Sequence, residues 1–136
     1  MFLFTVLGIT LVGLCAAGKP PNPNDKRCDV APPVNNNCAT KRWQFNRDGR
    51  VCVTNCDAKA PFSSQVECAG ACRSRLVCNQ PRPTPTCEEG TLVNVWYYDT
   101  NSKTCVTDKS CTYYGNNFPN QKECEDTCVR KGGAPY

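Results

Sequence analysis

Large apolar residues alternate with polar ones over two short stretches in the first part of the chain. Residues 43–46 read WQFN and residues 51–53 read VCV. Alternation with a period of two is typical of a strand with one buried face. Asp48-Gly49 lies between the two stretches, and this dipeptide is a strong signal for a hairpin turn. The pattern therefore predicts a β-hairpin over residues 43–53.

The same arrangement recurs in the second part of the chain. Residues 92–98 read LVNVWYY, which is rich in the aromatic and β-branched side chains that favour strands. Residues 99–103 are polar and turn-like, and residues 105–107 (CVT) return to strand-forming types. A second hairpin is predicted over residues 92–107.

A short helix is predicted after each hairpin. Ser64 with Glu67, and Asn120 with Glu123, have the spacing of a capping box, the side-chain arrangement that closes a helix N-terminus. Two cysteines four residues apart lie at each site, so they share one helical face. Each pair can tie its helix to two other parts of the chain; the four residues are Cys68, Cys72, Cys124 and Cys128.

Composition narrows the possible functions. The 136 residues include 13 Cys and no His. Without His there is no Ser-His or Cys-His catalytic pair and no imidazole metal ligand. Such a cysteine density is typical of a disulfide scaffold in a short secreted chain. The net charge of +4 is too small to indicate a nucleic-acid partner. We predict a protein that is not an enzyme and that needs no cofactor or metal.

The N-terminus predicts export. Residues 1–14 read MFLFTVLGITLVGL, an apolar run without a charged side chain, and small residues follow at 15–18. The run is shorter than the ~20 residues that span a bilayer. A short apolar core before small residues is typical of a secretory signal peptide, whereas a membrane anchor is the competing interpretation. We predict a signal peptide over residues 1–17, cleaved after Ala17 or Gly18, and a secreted extracellular protein without a membrane span.

Removal of the signal peptide would also remove Cys15 and leave 12 cysteines, an even number that allows complete pairing. The gaps between the first six are 9, 13, 3, 11 and 3 residues, and those between the second six are 8, 17, 5, 12 and 3. The similar order of short and long gaps indicates an internal repeat. We call residues 28–72 the N-terminal half and residues 78–128 the C-terminal half.

Each half is predicted to be a small disulfide-rich α+β domain, because a core of this size needs staples to be stable. Residues 18–27 form a basic N-terminal arm, residues 73–77 a linker and residues 129–136 a basic tail, and we expect a monomer. The recurring Cys-x3-Cys pairs also allow structural zinc sites. Six cysteines per half in an exported chain favour disulfides instead.

The pattern resembles the Kunitz family, the fold of basic pancreatic trypsin inhibitor. The C-terminal half matches the family's cysteine spacing at the first, fourth and fifth gaps. Residues 96–99 (WYYD) are similar to the family's aromatic strand, and residues 115–118 (GNNF) to its Asn-Asn-Phe segment. In the N-terminal half, residues 43–46 and Phe62 occupy the corresponding places, and Ala60-Pro61 replaces the Asn pair. The resemblance covers about residues 28–128.

The resemblance implies that, within each half, the first cysteine pairs with the sixth, the second with the fourth and the third with the fifth. Spacing alone would allow 15 pairings in each half. The implied disulfides are Cys28–Cys72, Cys38–Cys56, Cys52–Cys68, Cys78–Cys128, Cys87–Cys111 and Cys105–Cys124.

The resemblance also implies a binding loop around the second cysteine, whose following residue enters the specificity pocket of a serine protease. These pocket-position residues are Ala39 and Glu88. Glu88 would bring a like charge to the buried Asp of a trypsin-like pocket, and Ala39 fills little area. The gap between the third and fourth cysteines is also short, and Asn55 and Ser110 replace the family's usual Gly before the fourth cysteine. We therefore expect contact through the surface rather than insertion into the pocket.

The function implied is inhibition or binding of an extracellular serine protease, and the tandem arrangement with shortened gaps is most similar to tick salivary proteins that disable host haemostasis. A binding surface is predicted at Glu88, Glu89, Tyr113 and Tyr114, because the implied disulfide joins the two cysteines that these residues follow. Adjacent tyrosines in an extended segment point to opposite sides, so at least one should be exposed. Two alternatives stay open: a Kunitz scaffold that acts on an ion channel, an integrin or another host receptor, and an interaction module without inhibitory action.

Overall fold

A computed structural model describes residues 18–129, so the predicted signal peptide and most of the predicted tail lie outside the described residues. Each half contains one antiparallel hairpin followed by one helix, as the sequence predicts. A short 3-10 helix precedes each hairpin, at Lys26–Asp29 and at Arg75–Asn79. The strands and helices are β1 (Arg42–Asn46), β2 (Val51–Asn55), α1 (Gln65–Cys72), β3 (Val93–Asp99), β4 (Thr104–Ser110) and α2 (Gln121–Cys128).

The two hairpins have matching registers. Phe45 pairs with Cys52 in the first, and Tyr98 pairs with Cys105 in the second. In each half a tryptophan of the first strand also forms an isolated bridge to a later phenylalanine, Trp43 to Phe62 and Trp96 to Phe118. Phe62 and Phe118 are fully buried. The segment between hairpin and helix therefore closes each core at the same place.

The helix N-termini confirm half of the capping-box prediction. The Ser64 hydroxyl accepts a hydrogen bond from the Glu67 N–H at 3.1 Å, and the Asn120 amide oxygen accepts one from the Glu123 N–H at 2.8 Å. The glutamates do not complete the box. Glu67 instead accepts from the Ser63 hydroxyl at 2.8 Å and pairs with Arg27 of the arm, and Glu123 binds Arg50 of the N-terminal half and Arg73 of the linker. Each carboxylate that a local pattern assigned to a cap thus also has a partner distant in sequence.

Six disulfides lie within the halves, and among the described cysteines none joins one half to the other. Their Cα–Cα distances run from 5.5 to 6.2 Å. The pairs are the same six that the Kunitz resemblance implies. A disulfide typically contributes ~2–4 kcal/mol, so three in each half weigh heavily against the entropy of the unfolded chain.

The predicted linker, residues 73–77, is packed rather than free. Arg73 and Ser74 are buried, and Val77 is fully buried in the core of the C-terminal half. Ala69 of α1 belongs to that same core, so the helix of the N-terminal half contributes to both. Within the described range, no helix has the length and apolar character needed to cross a membrane.

Candidate functional site

The loop around the second cysteine of the N-terminal half is open to solvent. Residues 33–41, which include the pocket-position residue Ala39, are all exposed. The Cys38–Cys56 disulfide attaches the loop to the end of β2. The Cys56 N–H donates to the Asn35 carbonyl at 2.6 Å, which closes the base of the loop.

Asn55, the last residue of β2, holds the same loop from below. Its side chain is fully buried. Its amide oxygen accepts from the N–H groups of Asn35 and Asp57, each at 3.0 Å. Its amide nitrogen lies 3.3 and 3.2 Å from the carbonyls of Pro32-Pro33 and 2.8 Å from the Gln44 side-chain oxygen. One side chain of β2 therefore connects the segment before Cys38 to the hairpin.

The corresponding loop of the C-terminal half is held by Arg82. Its guanidinium donates two hydrogen bonds to the Asn117 side-chain oxygen, at 3.0 and 2.6 Å. It also pairs with Asp108 at 2.9 Å and lies over the Tyr97 ring, 3.8 Å from the ring centroid. The hydrogen bond from Arg82 lowers the pKa of Asp108 below its ordinary value. The loop before Cys87 is thus fixed to the β3–β4 hairpin.

Glu88, the second pocket-position residue, is exposed in a turn that the N-terminal arm approaches. Its carbonyl accepts from the Thr91 N–H at 3.2 Å and from the Thr91 hydroxyl at 2.6 Å. A Cβ added to Gly18 would overlap the Glu88 carboxylate and the Thr91 methyl group. The arm therefore lies directly against the position that would face a protease pocket. Glu89 is exposed beside it.

Tyr114 of the predicted binding surface contacts the N-terminal half. Its ring lies so close to Gly70 of α1 that any side chain there would overlap it, and its hydroxyl donates to the Val66 carbonyl at 3.4 Å. The next residue, Gly115, donates its N–H to the Gly70 carbonyl at 2.9 Å. Tyr114 is still 45% exposed, and Tyr113 is half-buried. The Cys87–Cys111 disulfide joins the segments that carry the two glutamates and the two tyrosines.

Arg73 connects the two halves and the arm. Its side chain is 7% exposed and forms two hydrogen bonds to the Glu123 carboxylate, at 3.2 and 3.1 Å. It also donates to the Pro23 carbonyl of the arm at 3.0 Å. Arg50 adds a third contact to Glu123 at 3.2 Å. A buried ion cluster of this kind restricts how one half can move relative to the other.

Sequence reasoning missed the residues that make these connections: Asn55 as a tether, Arg73, Arg82 and Gly70. Arg73 and its partner Glu123 are 50 residues apart in the chain, beyond the reach of any local pattern. One signal was present at Gly70, because a glycine in the middle of a helix costs about 1 kcal/mol relative to alanine and calls for a packing reason. Within residues 18–129, no three His, Cys, Asp or Glu side chains are grouped so that they could hold a metal ion.

Comparison with known proteins agrees with this architecture. Residues 77–129 match the Kunitz/Bovine pancreatic trypsin inhibitor domain. The inter-alpha-trypsin inhibitors of Capra hircus and Ovis aries are each 32% identical over 101 residues, which cover 69% of this chain and 80% of the relative. Ornithodorin of Ornithodoros moubata is 32% identical over 126 residues, 84% of this chain and 92% of the relative. The chain therefore belongs to the Kunitz/bovine pancreatic trypsin inhibitor family, whose members are inhibitors and not enzymes, as the sequence analysis predicted.

Proposed function

We propose that this chain is a secreted protein of two tandem Kunitz domains, residues 28–72 and 78–128, that binds and inhibits an extracellular serine protease. Contact is made through the protein surface and not by insertion of one residue into the specificity pocket. The name of the inter-alpha-trypsin inhibitors supports a protease of the trypsin class. The resemblance to tick salivary proteins supports a target in the host clotting system.

The observation that carries this proposal is the position of Glu88. An acidic side chain entering a trypsin-like pocket meets a buried Asp, and two like charges in a low-dielectric site repel strongly. The arm lies against Glu88 through Gly18. A protease seated on Glu88 would also meet residues 112–115, because the Cys87–Cys111 disulfide holds them close, and Tyr114 of that segment packs on α1. Insertion by the C-terminal half would require these contacts to separate.

Insertion of Ala39 from the N-terminal half into a protease pocket would contribute little binding free energy, for a different reason. Ala39 is exposed and accessible, but its side chain is one methyl group. At about 25 cal/mol per Å² of apolar surface, burial of so small a side chain contributes little affinity. A larger contact area around the loop must supply most of the binding free energy.

Binding to blocked proteases tests the proposal. The purified secreted protein is immobilised, and clotting and digestive serine proteases are passed over it in native form and with the catalytic serine covalently blocked by a small sulfonyl fluoride. We expect at least one protease to bind in both forms. That protease should cleave its macromolecular substrate more slowly, while its hydrolysis of a small peptide substrate persists.

Two outcomes contradict the proposal and differ from each other. Loss of binding on blocking, with competitive inhibition of the small substrate, would show that a residue enters the pocket. Absence of binding to every protease would favour a receptor or channel as the target. The Glu125→Gln variant, at an exposed position of α2 outside the predicted surface, is the control, and its affinity should stay within about twofold of that of the unmodified protein.

A further inference from the structure

The N-terminal half carries a buried asparagine where the family usually has a glycine. Asn55 is fully buried, and the geometry of its amide group is satisfied on both sides: the oxygen accepts two backbone N–H groups and the nitrogen faces three oxygens. A buried amide without partners would be costly, so this network indicates a specific structural task for the residue.

We propose that Asn55 is a positioning residue that holds residues 32–41, the loop in which the Kunitz resemblance places binding, in a binding-ready shape, and that the N-terminal half is the half that binds the protease. The inference rests on the proposed function and adds which half binds the protease and which residue holds its binding loop in shape. Asn55 does not touch the target; it acts through the loop above it.

The contacts of Asn55 with the loop lie before its apex, where it bonds the carbonyls of Pro32-Pro33 and the N–H of Asn35. It also accepts the N–H of Asp57, two residues further along its own segment. The apex is attached to that segment by the Cys38–Cys56 disulfide. The Asn35 side chain continues the network by accepting the Asn37 N–H at 3.0 Å. The loop is consequently fixed at its base and exposed at its apex.

This network takes over a role that the N-terminal half lacks elsewhere. In the C-terminal half, Asn116 bonds both the N–H and the carbonyl of Tyr98, each at 2.9 Å, and Asn117 anchors Arg82. Ala60-Pro61 stands at the corresponding place in the N-terminal half and has no side-chain amide to offer. Asn55 supplies from β2 an amide that anchors the loop before the second cysteine, the role that Asn117 has through Arg82 in the C-terminal half.

At the equivalent position in the C-terminal half, the side chain makes fewer and longer hydrogen bonds than Asn55 does. Ser110 is buried, and its hydroxyl accepts from the Thr112 N–H at 3.4 Å, a long hydrogen bond. The adjoining segment rests on α1 through Tyr114 and the adjoining turn lies against Gly18. Both loops are tethered, that of the N-terminal half through Asn55 and that of the C-terminal half through Arg82. Within residues 18–129, it is the loop above Asn55 that stays exposed throughout, over residues 33–41.

A loop that is already held in its bound shape loses little conformational entropy on docking, and this smaller cost raises its affinity. Residues 33–41 read PVNNNCATK, with Lys41 as their one charged side chain. The protease surface that fits this loop is therefore neutral or acidic.

Amide hydrogen exchange tests the positioning role without knowledge of the target. In the unmodified protein the Asn35 N–H should be protected, although the residue is exposed, because it donates to Asn55. Asn55→Gly, which restores the family's usual residue, should accelerate Asn35 exchange at least about 10-fold. The Trp43 N–H, which bonds the Phe62 carbonyl at 2.9 Å, reports the fold and should keep its rate. Asn35 exchange at the rate of an unstructured peptide in the unmodified protein would overturn the proposal.

Affinity for the protease selected from the panel tests the contact role. Asn55→Gly should weaken binding about 30-fold, while Ser110→Gly, the matched change in the C-terminal half, should alter it less than threefold. Asn55→Asp keeps the side-chain volume, but its carboxylate cannot donate a hydrogen bond. This variant replaces Asn55→Gly in the test if the glycine variant does not refold, and its affinity for the protease should fall as well. Equal affinities of the Asn55 variants and the unmodified protein would overturn the proposal.

A second variant separates this surface from the one predicted in the C-terminal half. If Tyr113→Ala combined with Tyr114→Ala abolishes binding and the Asn55 variants do not weaken it, the contact lies in the C-terminal half and the proposal is wrong. If no protease binds the unmodified protein, the proposed function fails, and the exchange rates still decide whether Asn55 positions the loop.

Discussion

Replacement of Glu123 by glutamine should loosen the contact between the halves without unfolding either of them. The Glu123 carboxylate faces Arg73 and Arg50, whose side chains are 7% and 16% exposed, and it is itself 19% exposed. Glutamine has nearly the same shape but no charge, so both arginines would be left partly buried without a counter-ion. Breaking a buried ion pair from one side costs ~3–5 kcal/mol. Because Glu123 keeps some contact with water, we expect the lower end, about 3 kcal/mol.

Amide exchange of Gly115 measures this cost at the contact itself. Its N–H donates to the Gly70 carbonyl across the two halves, whereas the Trp96 N–H donates to Phe118 within the C-terminal half. Since each 1.4 kcal/mol corresponds to a factor of ten, Glu123→Gln should accelerate Gly115 exchange about 100-fold. Trp96 exchange should stay the same, because the disulfides and the core of that half are untouched.

The control variant lies on the same helix. Glu125→Gln makes the same chemical change at an exposed position, where the glutamate contacts Gln121, and should alter both exchange rates little. Equal acceleration of Gly115 and Trp96 in Glu123→Gln would mean that the C-terminal half itself is destabilised. An unchanged Gly115 rate would mean that the ion cluster does not hold the halves together. Either result refutes the reasoning.

Four further predictions concern the covalent frame, the pocket-position residues and acid stability. The secreted protein should contain six disulfides and no free thiol, so alkylation before reduction should add no mass; a labelled cysteine, or a bridge between the halves, contradicts this. Cys52→Ala should leave Cys68 unpaired and reduce the free energy of unfolding by ~2–5 kcal/mol in denaturant titration, and an unchanged midpoint would be inconsistent with the disulfide. The unmodified protein should inhibit trypsin weakly, and Glu88→Arg should improve this only in part, because the shortened gap between Cys105 and Cys111 remains; nanomolar inhibition by the unmodified protein would refute our interpretation of the pocket residues. The pKa of Asp108 in the folded protein lies below 3.8, so its pairing with Arg82 stabilises the fold above that pH and is lost as the pH falls through the folded pKa. The melting temperature should therefore be higher than that of Asp108→Asn at pH 7, and the difference should disappear as the pH falls through the folded pKa of Asp108; a constant difference would exclude this pair as the cause.

Local features of this protein are set by the sequence itself. Alternating apolar positions predict both hairpins, with errors of a few residues at the strand ends: β3 begins at Val93 rather than at residue 92, and β4 extends to Ser110. The N-caps Ser64 and Asn120 also act as predicted. Strand periodicity and helix capping depend on neighbours within about four residues, which the sequence displays directly.

The arrangement of loops and halves depends on the tertiary structure. The residue before the fourth cysteine signals only a departure from the family, whereas the fold turns Asn55 into a tether that reaches back 20 residues to Asn35. The sequence places Tyr114 on a candidate binding surface, and the fold sets its ring against Gly70. Glu123 has the spacing of a capping residue, but the carboxylate binds Arg73. These contacts join residues that are 20 to 50 positions apart in the chain, and no local periodicity specifies which of them will meet.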